Sequence, residues 1–335
     1  MKINVDQFVL GPRRKDVIWH IKRQHPFSYA LNRLQWYVYP KLRIAPRFPI
    51  HIDFEISSLC NMSCPMCFRP HRKNKEDGLM DIKLYKKAID ECVKYNLYSI
   101  RLSWRGESTV HPGFTEMARY AKERGIKEVS FLTNGLDITP DYADELIRIG
   151  VDYISFSIDG LHEDYESIRK PATFEGILER LRYLRKARNS LGHGYPRIKI
   201  NTIWTKIKDR AHEYFEIFSP IADIISFNPD YDYSKDAVCL PTGHQCQYPY
   251  QRLTVAWNGK VPMCISDWDI ENIIGDLNTQ SIYEIWNGER MRQVKMENNN
   301  RNIVKYWPCR KCHRPVTEQI GNQRKLYKFD SNSRR

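Results

Sequence analysis

The sequence has no long apolar run and no export signal, and both absences argue against a membrane-spanning or secreted protein. No window approaches the roughly 18 consecutive apolar residues that a spanning helix needs. The first seven residues lack the apolar core of a secretory signal, so we expect a cytoplasmic protein without a transmembrane segment. Internal repeats and low-complexity tracts are also missing, and 335 residues predict about two domains.

Motifs of nucleic-acid recognition are missing too, although the net charge of +13 suggests an anionic partner. The sequence contains no helix-turn-helix, zinc finger or RNA-binding motif. Residues 1–49 and residues 301–335 each carry +8, which leaves −3 on the 251 residues between them. Because the excess charge belongs to the two ends, we expect no nucleic-acid partner.

Extended and helical patterns alternate between residues 50 and 228. The extended runs are Ile50–Ile56, Tyr98–Trp104, Lys127–Leu132, Asp152–Phe156, Arg197–Trp204 and Asp223–Phe227. The helical patterns are Asp81–Tyr95, Gly113–Arg124, Pro140–Ile149, Phe174–Ser190 and Asp209–Phe218. Six strands that alternate with helices predict an α/β fold with a parallel sheet, a partial (β/α)6 barrel of the TIM type.

After this alternation the pattern predicts a small cysteine-rich α+β domain. A hairpin is expected from Leu253–Ala256 and Lys260–Cys264, and a helix around Ser281–Gln293. The predicted division is a basic aromatic extension (1–49), the partial barrel (50–228), a connector (229–245), the cysteine-rich domain (246–320) and a basic, mobile tail (321–335).

Three of the nine cysteines form a tight group, Cys60, Cys64 and Cys67, with the spacing Cys-x3-Cys-x2-Cys. A cytoplasmic chain of this size needs no disulfide scaffold, so grouped thiols point to metal or catalysis. Three thiolates within eight residues can hold one soft metal centre. One interpretation is a structural zinc site completed by His71. The other is a four-iron cluster with one iron open to an exogenous ligand.

This cysteine loop directly follows the first predicted strand and closely resembles the signature of the radical SAM superfamily. The resemblance implies that the open iron of a [4Fe-4S] cluster binds S-adenosyl-L-methionine through its amino and carboxylate groups. It further implies reductive cleavage to a 5′-deoxyadenosyl radical, which takes a hydrogen atom from the substrate. An electron donor such as flavodoxin or ferredoxin is the implied partner.

The loops after the next strands carry further residues that resemble the cofactor-binding stretches of this superfamily. The residues so implied are Gly106, Glu107, Asn134, Ser157, Asp159, Arg169 and Asn201. Arg105 replaces one glycine of the usual Gly-Gly-Glu, which leaves the shape of that loop open. The loops follow the carboxyl ends of successive strands, where barrel enzymes build their sites.

A second set of thiols, Cys246, Cys264, Cys309 and Cys312, lies in the cysteine-rich domain. Its surroundings resemble the SPASM/twitch extension of radical SAM enzymes, in stretches such as TVAWNGKVPMC, IGDL, SIYEIW and PCRKC. The resemblance implies one auxiliary [4Fe-4S] cluster with four protein ligands. By itself, a Cys-x2-Cys pair is equally typical of a zinc ribbon.

Two cysteines are left over. Cys92 lies on the apolar face of the first predicted helix, so we interpret it as a core residue. Cys239 lies in the connector, and one hypothesis makes it the hydrogen-atom donor of a redox-neutral radical epimerase. For the function of the whole chain, the main hypothesis is that it oxidises or otherwise modifies a sugar, peptide or small metabolite. A third, of another class, is a non-catalytic iron–sulfur or zinc protein.

The basic ends allow two interpretations. Residues 1–49 combine their charge with eight Trp, Tyr and Phe residues, and either cover the open bottom or side of the barrel or dock an anionic substrate, carrier or membrane surface. No segment of these ends shows a clean amphipathic stripe in the sequence.

Overall fold

The computed structural model describes residues 8–10, 26–192, 194–228, 230, 245–310 and 312. The strands are β1 Phe8–Leu10, β2 His51–Phe54, β3 Ser99–Arg101, β4 Glu128–Thr133, β5 Tyr153–Ser157, β6 Arg197–Ile203, β7 Ile224–Asn228, β8 Arg252–Val255, β9 Lys260–Pro262 and β10 Ile273–Asp276. The α-helices are α1 Pro26–Leu42, α2 Ile82–Lys94, α3 Phe114–Glu123, α4 Pro140–Ile149, α5 His162–Ile168, α6 Phe174–Ser190, α7 Ala211–Phe218, α8 Ile282–Asn287, α9 Glu289–Asn299 and α10 Trp307–Arg310.

The main sheet has the strand order β1-β7-β6-β5-β4-β3-β2-β8. Strands β2 to β7 are parallel and neighbour one another in chain order, with helices in the connections, so the predicted partial barrel is confirmed. A seventh parallel strand, β8, pairs with β2 in the register His51↔Arg252. At the other edge, β1 pairs antiparallel with β7. Strands that precede and follow residues 50–228 in the chain therefore extend the sheet.

The predicted hairpin is wrong, because its two strands join different sheets. A turn does form, and the Ala256 amide donates to the Lys260 carbonyl at 2.8 Å. However, β8 pairs with β2 of the barrel, while β9 pairs antiparallel with β10. The edge of β2 offers unpaired backbone groups, and pairing with β8 satisfies them along the whole strand.

The single helix expected around Ser281–Gln293 is also wrong, since α8 and α9 are separate. Gly288 lies between them with an extended backbone (φ −70°, ψ 165°). A side chain there would meet the Glu284 carbonyl oxygen at 2.8 Å, so the close approach favours glycine. Helix α5 was not expected at all, because it is too short to show a clear apolar period.

The core lies between the sheet and its helices. The residues of β2 and its extension that face the helices, Ile52, Phe54 and Ile56, are fully buried. Cys92 on α2 packs in the same core, which confirms its interpretation as a core residue. Burial raises the pKa of the Cys92 thiol well above its ordinary value.

Helix α1 closes the amino ends of the barrel strands. The Trp36 ring lies edge-on to the His51 ring at 6.2 Å. The Asn32 amide donates to the Ile50 carbonyl at 3.4 Å, and the Gln251 amide donates to the Trp36 carbonyl at 2.8 Å. These contacts confirm that part of the N-terminal extension covers the bottom of the barrel.

A polar network lies above α1 inside the barrel, around the fully buried carboxylate of Asp53. His51 Nε2 lies 3.1 Å from Asp53 Oδ1, and Arg101 Nε lies 2.9 Å from the same oxygen. The Tyr248 hydroxyl donates to Asp53 Oδ2 at 3.2 Å. The arginines Arg101 and Arg252 hold the pKa of Asp53 well below its usual range, despite burial.

Burial lowers the pKa of His51 to about 4, although Asp53 opposes the shift. The unfolded chain therefore binds this proton more readily, and the free energy of unfolding falls as pH decreases from about 6.5 to about 4. We expect His51→Gln to remove this part of the pH dependence, up to about 3 kcal/mol. Denaturant unfolding of both proteins across this range measures it. Parallel pH profiles for wild type and variant would contradict the assignment.

Candidate metal and cofactor site

The cysteine loop follows β2 at the carboxyl end of the barrel. Cys64 is buried, and Cys60 and Cys67 are partly buried. Desolvation raises the pKa of all three thiols, and charges among them raise it further, so the loop brings the three side chains together. Soft sulfur donors gathered away from water fit an iron–sulfur cluster, whose binding would release their protons.

The loops after β2, β3 and β4 are joined by one hydrogen-bonded network. The Glu107 carboxylate is buried. It accepts from the backbone N–H of Asn134 at 2.7 Å and lies 2.9 Å from the Thr109 hydroxyl. Asn134 Nδ2 donates to Asn61 Oδ1 at 2.7 Å. Asp137 Oδ2 accepts from Asn61 Nδ2 at 2.9 Å and lies 2.9 Å from the Thr109 hydroxyl, whose single proton can serve either Asp137 or Glu107. Burial raises the pKa of Glu107, and these donors lower it in turn.

Sequence reasoning missed three members of this network. Asn61 lies inside the cysteine loop, while Thr109 and Asp137 each lie two or three residues beyond a predicted site residue. That spacing was the available signal, because side chains so close to a strand end share its face of the barrel.

Gly106 shows why the loop after β3 keeps one glycine. An added Cβ would lie 2.4 Å from the Leu59 carbonyl oxygen and 2.5 Å from that of Ser57, so the two loops touch backbone to backbone. The Glu107 amide donates to the Leu59 carbonyl at 2.7 Å. The second loop thus lies directly against the cysteine loop.

Arg105, which replaces the other glycine, turns away from this contact. Its Nε and Nη2 donate to the two carboxylate oxygens of Glu55 at 2.7 and 2.6 Å. Its Nη1 donates to the Trp268 carbonyl at 3.0 Å, in the cysteine-rich domain. Both charged side chains are almost fully buried. Arg105 therefore ties the barrel to the segment after Cys264, and the loop accommodates it without losing Gly106.

Removing Arg105 should be strongly destabilising, because it leaves the Glu55 charge buried and unpaired. We expect Arg105→Ala to lower the free energy of unfolding by about 3 kcal/mol, measured by denaturant unfolding. Adding Glu55→Gln should recover part of this loss, since the buried charge then disappears. Lys86→Ala, which breaks an exposed pair with Glu116, is the control and should change little. No recovery in the double variant would contradict the explanation.

The segment after β5 contributes a buried ion pair, and the end of β6 adds a backbone donor to it. Asp159 accepts from Arg169 Nε at 3.0 Å and from the Ile203 amide at 2.8 Å. Arg169 Nη1 lies 3.6 Å from Cys64 Sγ, and its charge offsets part of the rise that burial causes in the pKa of that thiol. The structure thus places Asp159 and Arg169 beside the cysteine loop.

Ser157 and Asn201 lie at the same end of the barrel. They are paired across β5 and β6. Asn201 Oδ1 accepts from the hydroxyl of Ser226 on β7. The Asn201 side chain is therefore already tied to a neighbouring strand.

The second set of four thiols is also brought together. Charges on Cys246, Cys309 and Cys312 raise the pKa of Cys264, in addition to the effect of its burial. Burial, together with charges on Cys246 and Cys312, also raises the pKa of Cys309. Asp267 lies close to this group, and burial raises its pKa to about 6. Four soft donors from three separate segments form a complete ligand set for one cluster.

Aromatic rings connect the two thiol groups. The Phe68 ring, next to Cys67 in the chain, lies 5.3 Å from that of Trp268, and Trp268 lies 6.0 Å from Trp307. Trp104 Nε1 donates to the Ile265 carbonyl at 2.8 Å. The cysteine-rich domain therefore packs directly on the mouth of the barrel.

The zinc and cluster interpretations are not separated by the positions of these thiols. In the part of the chain that the structure describes, no group of three or more His, Cys, Asp or Glu side chains is placed to hold a single metal ion. His71, the suggested fourth ligand, is exposed.

Cys239 lies outside the described residues, so its role as a hydrogen-atom donor stays a prediction from the sequence. Among the described helices, none is long and apolar enough to cross a membrane.

Fold and site together define a partial-barrel protein with a three-thiol loop at the catalytic face and a four-thiol site in an appended domain. Residues 54–204 match the sequence model of the radical SAM superfamily. Residues 246–313 match that of an iron–sulfur cluster-binding domain, SPASM. The chain therefore carries a radical SAM domain and a SPASM domain. Its cofactors are S-adenosylmethionine, the [4Fe-4S] cluster that binds it, and auxiliary iron–sulfur.

Two curated relatives are similar over part of the chain. The tungsten-containing aldehyde ferredoxin oxidoreductase cofactor-modifying protein of Pyrococcus furiosus is 35% identical over 158 residues, 47% of this chain and 44% of the relative. The PqqA peptide cyclase of Ruegeria pomeroyi is 31% identical over 119 residues, 35% of this chain and 30% of the relative. The chain therefore spans less than half the length of these relatives.

The fold resembles that of solved radical SAM enzymes. The crystal structure of BtrN in complex with AdoMet and 2-DOIA has a TM-score of 0.55 at 18% identity, and covers 78% of this chain and 92% of that chain. This similarity supports the barrel and the appended domain as one architecture.

Proposed function

We propose that the protein is a radical SAM enzyme in which Cys60, Cys64 and Cys67 hold the catalytic [4Fe-4S] cluster. Cys246, Cys264, Cys309 and Cys312 would hold one auxiliary [4Fe-4S] cluster. The observation that carries the proposal is the Arg169 guanidinium, which lies 3.6 Å from Cys64 Sγ and joins the cysteine loop to Asp159 at the end of the barrel.

When bound, the cluster and S-adenosylmethionine supply a one-electron cleavage that yields a hydrogen-abstracting radical. Glu107 presents a buried carboxylate for the cofactor ammonium, held by Asn134 and Thr109. Arg169 presents a guanidinium for the cofactor carboxylate, held by Asp159. Gly106 keeps the two loops in contact, which excludes water from the thiols.

The substrate that we propose is a sugar, peptide or small metabolite, which is oxidised or otherwise modified at an unactivated C–H bond. The names of the two relatives, a peptide cyclase and a cofactor-modifying protein, support this range of substrates. Full cysteine ligation of the auxiliary site favours electron relay or a structural role over direct substrate binding. A one-electron donor such as flavodoxin or ferredoxin would serve as partner.

We also propose a division of the chain in which residues 246–320 form the auxiliary-cluster domain, even though β8 pairs with the barrel sheet.

We propose that the protein works in a reducing compartment such as the cytoplasm. The eight described cysteines are free thiols, which fits such a compartment.

Anaerobic purification tests the function directly. We expect a brown protein with about eight irons per chain, whose absorbance bleaches with dithionite. With S-adenosylmethionine and dithionite, the protein should form 5′-deoxyadenosine, measured by chromatography. Two zinc ions and no iron would overturn the proposal and favour a non-catalytic zinc protein.

A further inference from the structure

Helix α1 is turned with its apolar residues outward. The residues that lie along its exposed arc are Phe27, Ala30, Leu31, Leu34, Tyr37, Lys41 and Leu42. Phe27 is 89% exposed, and Leu31, Leu34, Tyr37 and Leu42 are each more than half exposed. Spacings of three and four residues place them on one side of the helix. A stripe of this kind normally faces a core.

The side of α1 that packs on the barrel mixes polar with aromatic residues. It carries Asn32, which bonds the Ile50 carbonyl, and Arg33, which stacks over Tyr29 and Trp36. The stripe escaped the sequence pattern because aromatic residues lie on both sides of the helix. Several large apolar side chains grouped on an exposed face mark an interaction surface rather than chance exposure.

Positive charge adjoins this face along the chain. Lys41 lies within the arc, and the exposed Arg43 directly follows the helix. In the sequence just before the helix, residues 11–25 add five Lys or Arg and one Asp. Apolar side chains flanked by cations fit the interface of an anionic lipid bilayer, where the long basic side chains reach the phosphates.

A second copy of the chain is a poorer occupant. In a twofold dimer the same patch meets itself, so Lys41 and Arg43 of each copy would approach a patch of like charge, which opposes pairing. An anionic surface has the opposite charge and needs no groove, because a single amphipathic helix inserts between headgroups.

We propose that α1 is an in-plane helix that docks the enzyme on an anionic membrane surface. Its contacts with Ile50, His51 and Gln251 place it at the amino ends of the strands. The cysteine loop lies at the carboxyl ends, on the opposite side of the barrel. Docking therefore leaves the catalytic mouth open to solution.

Flotation of the full-length protein with vesicles tests this proposal. Vesicles of about one-third phosphatidylglycerol in phosphatidylcholine should capture at least about tenfold more protein than pure phosphatidylcholine, and raising NaCl from about 0.1 M to about 0.5 M should weaken capture. Leu31→Gln with Leu34→Gln should reduce capture by about tenfold or more. The matched control is Leu191→Gln with Met296→Gln, two residues equally exposed elsewhere, which should bind normally.

Each contrary outcome has a clear meaning. Equal capture of the two double variants, or no preference for anionic vesicles, would overturn the proposal. A wild-type dimer that the Leu31/Leu34 variant dissociates, seen by analytical ultracentrifugation without lipid, would identify a second copy as the occupant and overturn it too. Unchanged unfolding midpoints confirm that the variants fold, and Phe27→Ser serves as a second variant if they do not. Affinity for S-adenosylmethionine should be the same in all these proteins.

Discussion

Alanine at Cys60, Cys64 and Cys67 together is expected to abolish 5′-deoxyadenosine formation and to leave about four irons per chain. The reason is that these three thiols form one group beside Arg169, whereas the other four belong to separate segments of the SPASM domain. Iron analysis and chromatography of the reaction with S-adenosylmethionine and dithionite measure both effects.

Cys92→Ala is the control for this triple variant, because Cys92 is buried in the core far from the loop in sequence. It should retain all the iron and all the cleavage activity. If the triple variant still cleaved S-adenosylmethionine, the assignment of the two thiol groups would be reversed or wrong.

Alanine at Cys309 and Cys312 is expected to remove about four irons while some 5′-deoxyadenosine formation persists without product. Both thiols lie on or next to the short helix α10. They are close enough to Cys264 for their charges to raise its pKa. The barrel loops that surround Arg169 contain no ligand of this second group, so cofactor cleavage should survive its loss. The electron relay or structural support that product formation needs would be missing.

Arg310→Ala, on the same helix, is the matched control and should keep about eight irons. Iron content and electron paramagnetic resonance of the reduced protein report the missing cluster. A folded Cys309/Cys312 variant that loses all cleavage would contradict independent roles for the two thiol groups.

Local sequence patterns were enough to predict most of the barrel. All six predicted strands and five predicted helices of residues 50–228 are present, because alternation of apolar residues depends on neighbours in the chain. The cysteine spacing likewise pointed to the loop whose thiols the structure brings together. The network of Asn61, Thr109 and Asp137 was missed, since single polar residues near strand ends carry no period.

By itself, the sequence determined the order of the barrel strands, the two thiol groups and the place of the three-thiol loop after the first barrel strand, because short-range spacing encodes these features. Tertiary structure alone decided that β8 pairs with β2 instead of β9, that Arg105 reaches Glu55 and the Trp268 carbonyl, and that α1 turns its apolar side outward. Each of these depends on a partner distant in the chain. An open strand edge, a buried carboxylate or a covered barrel end exists only once the fold has formed.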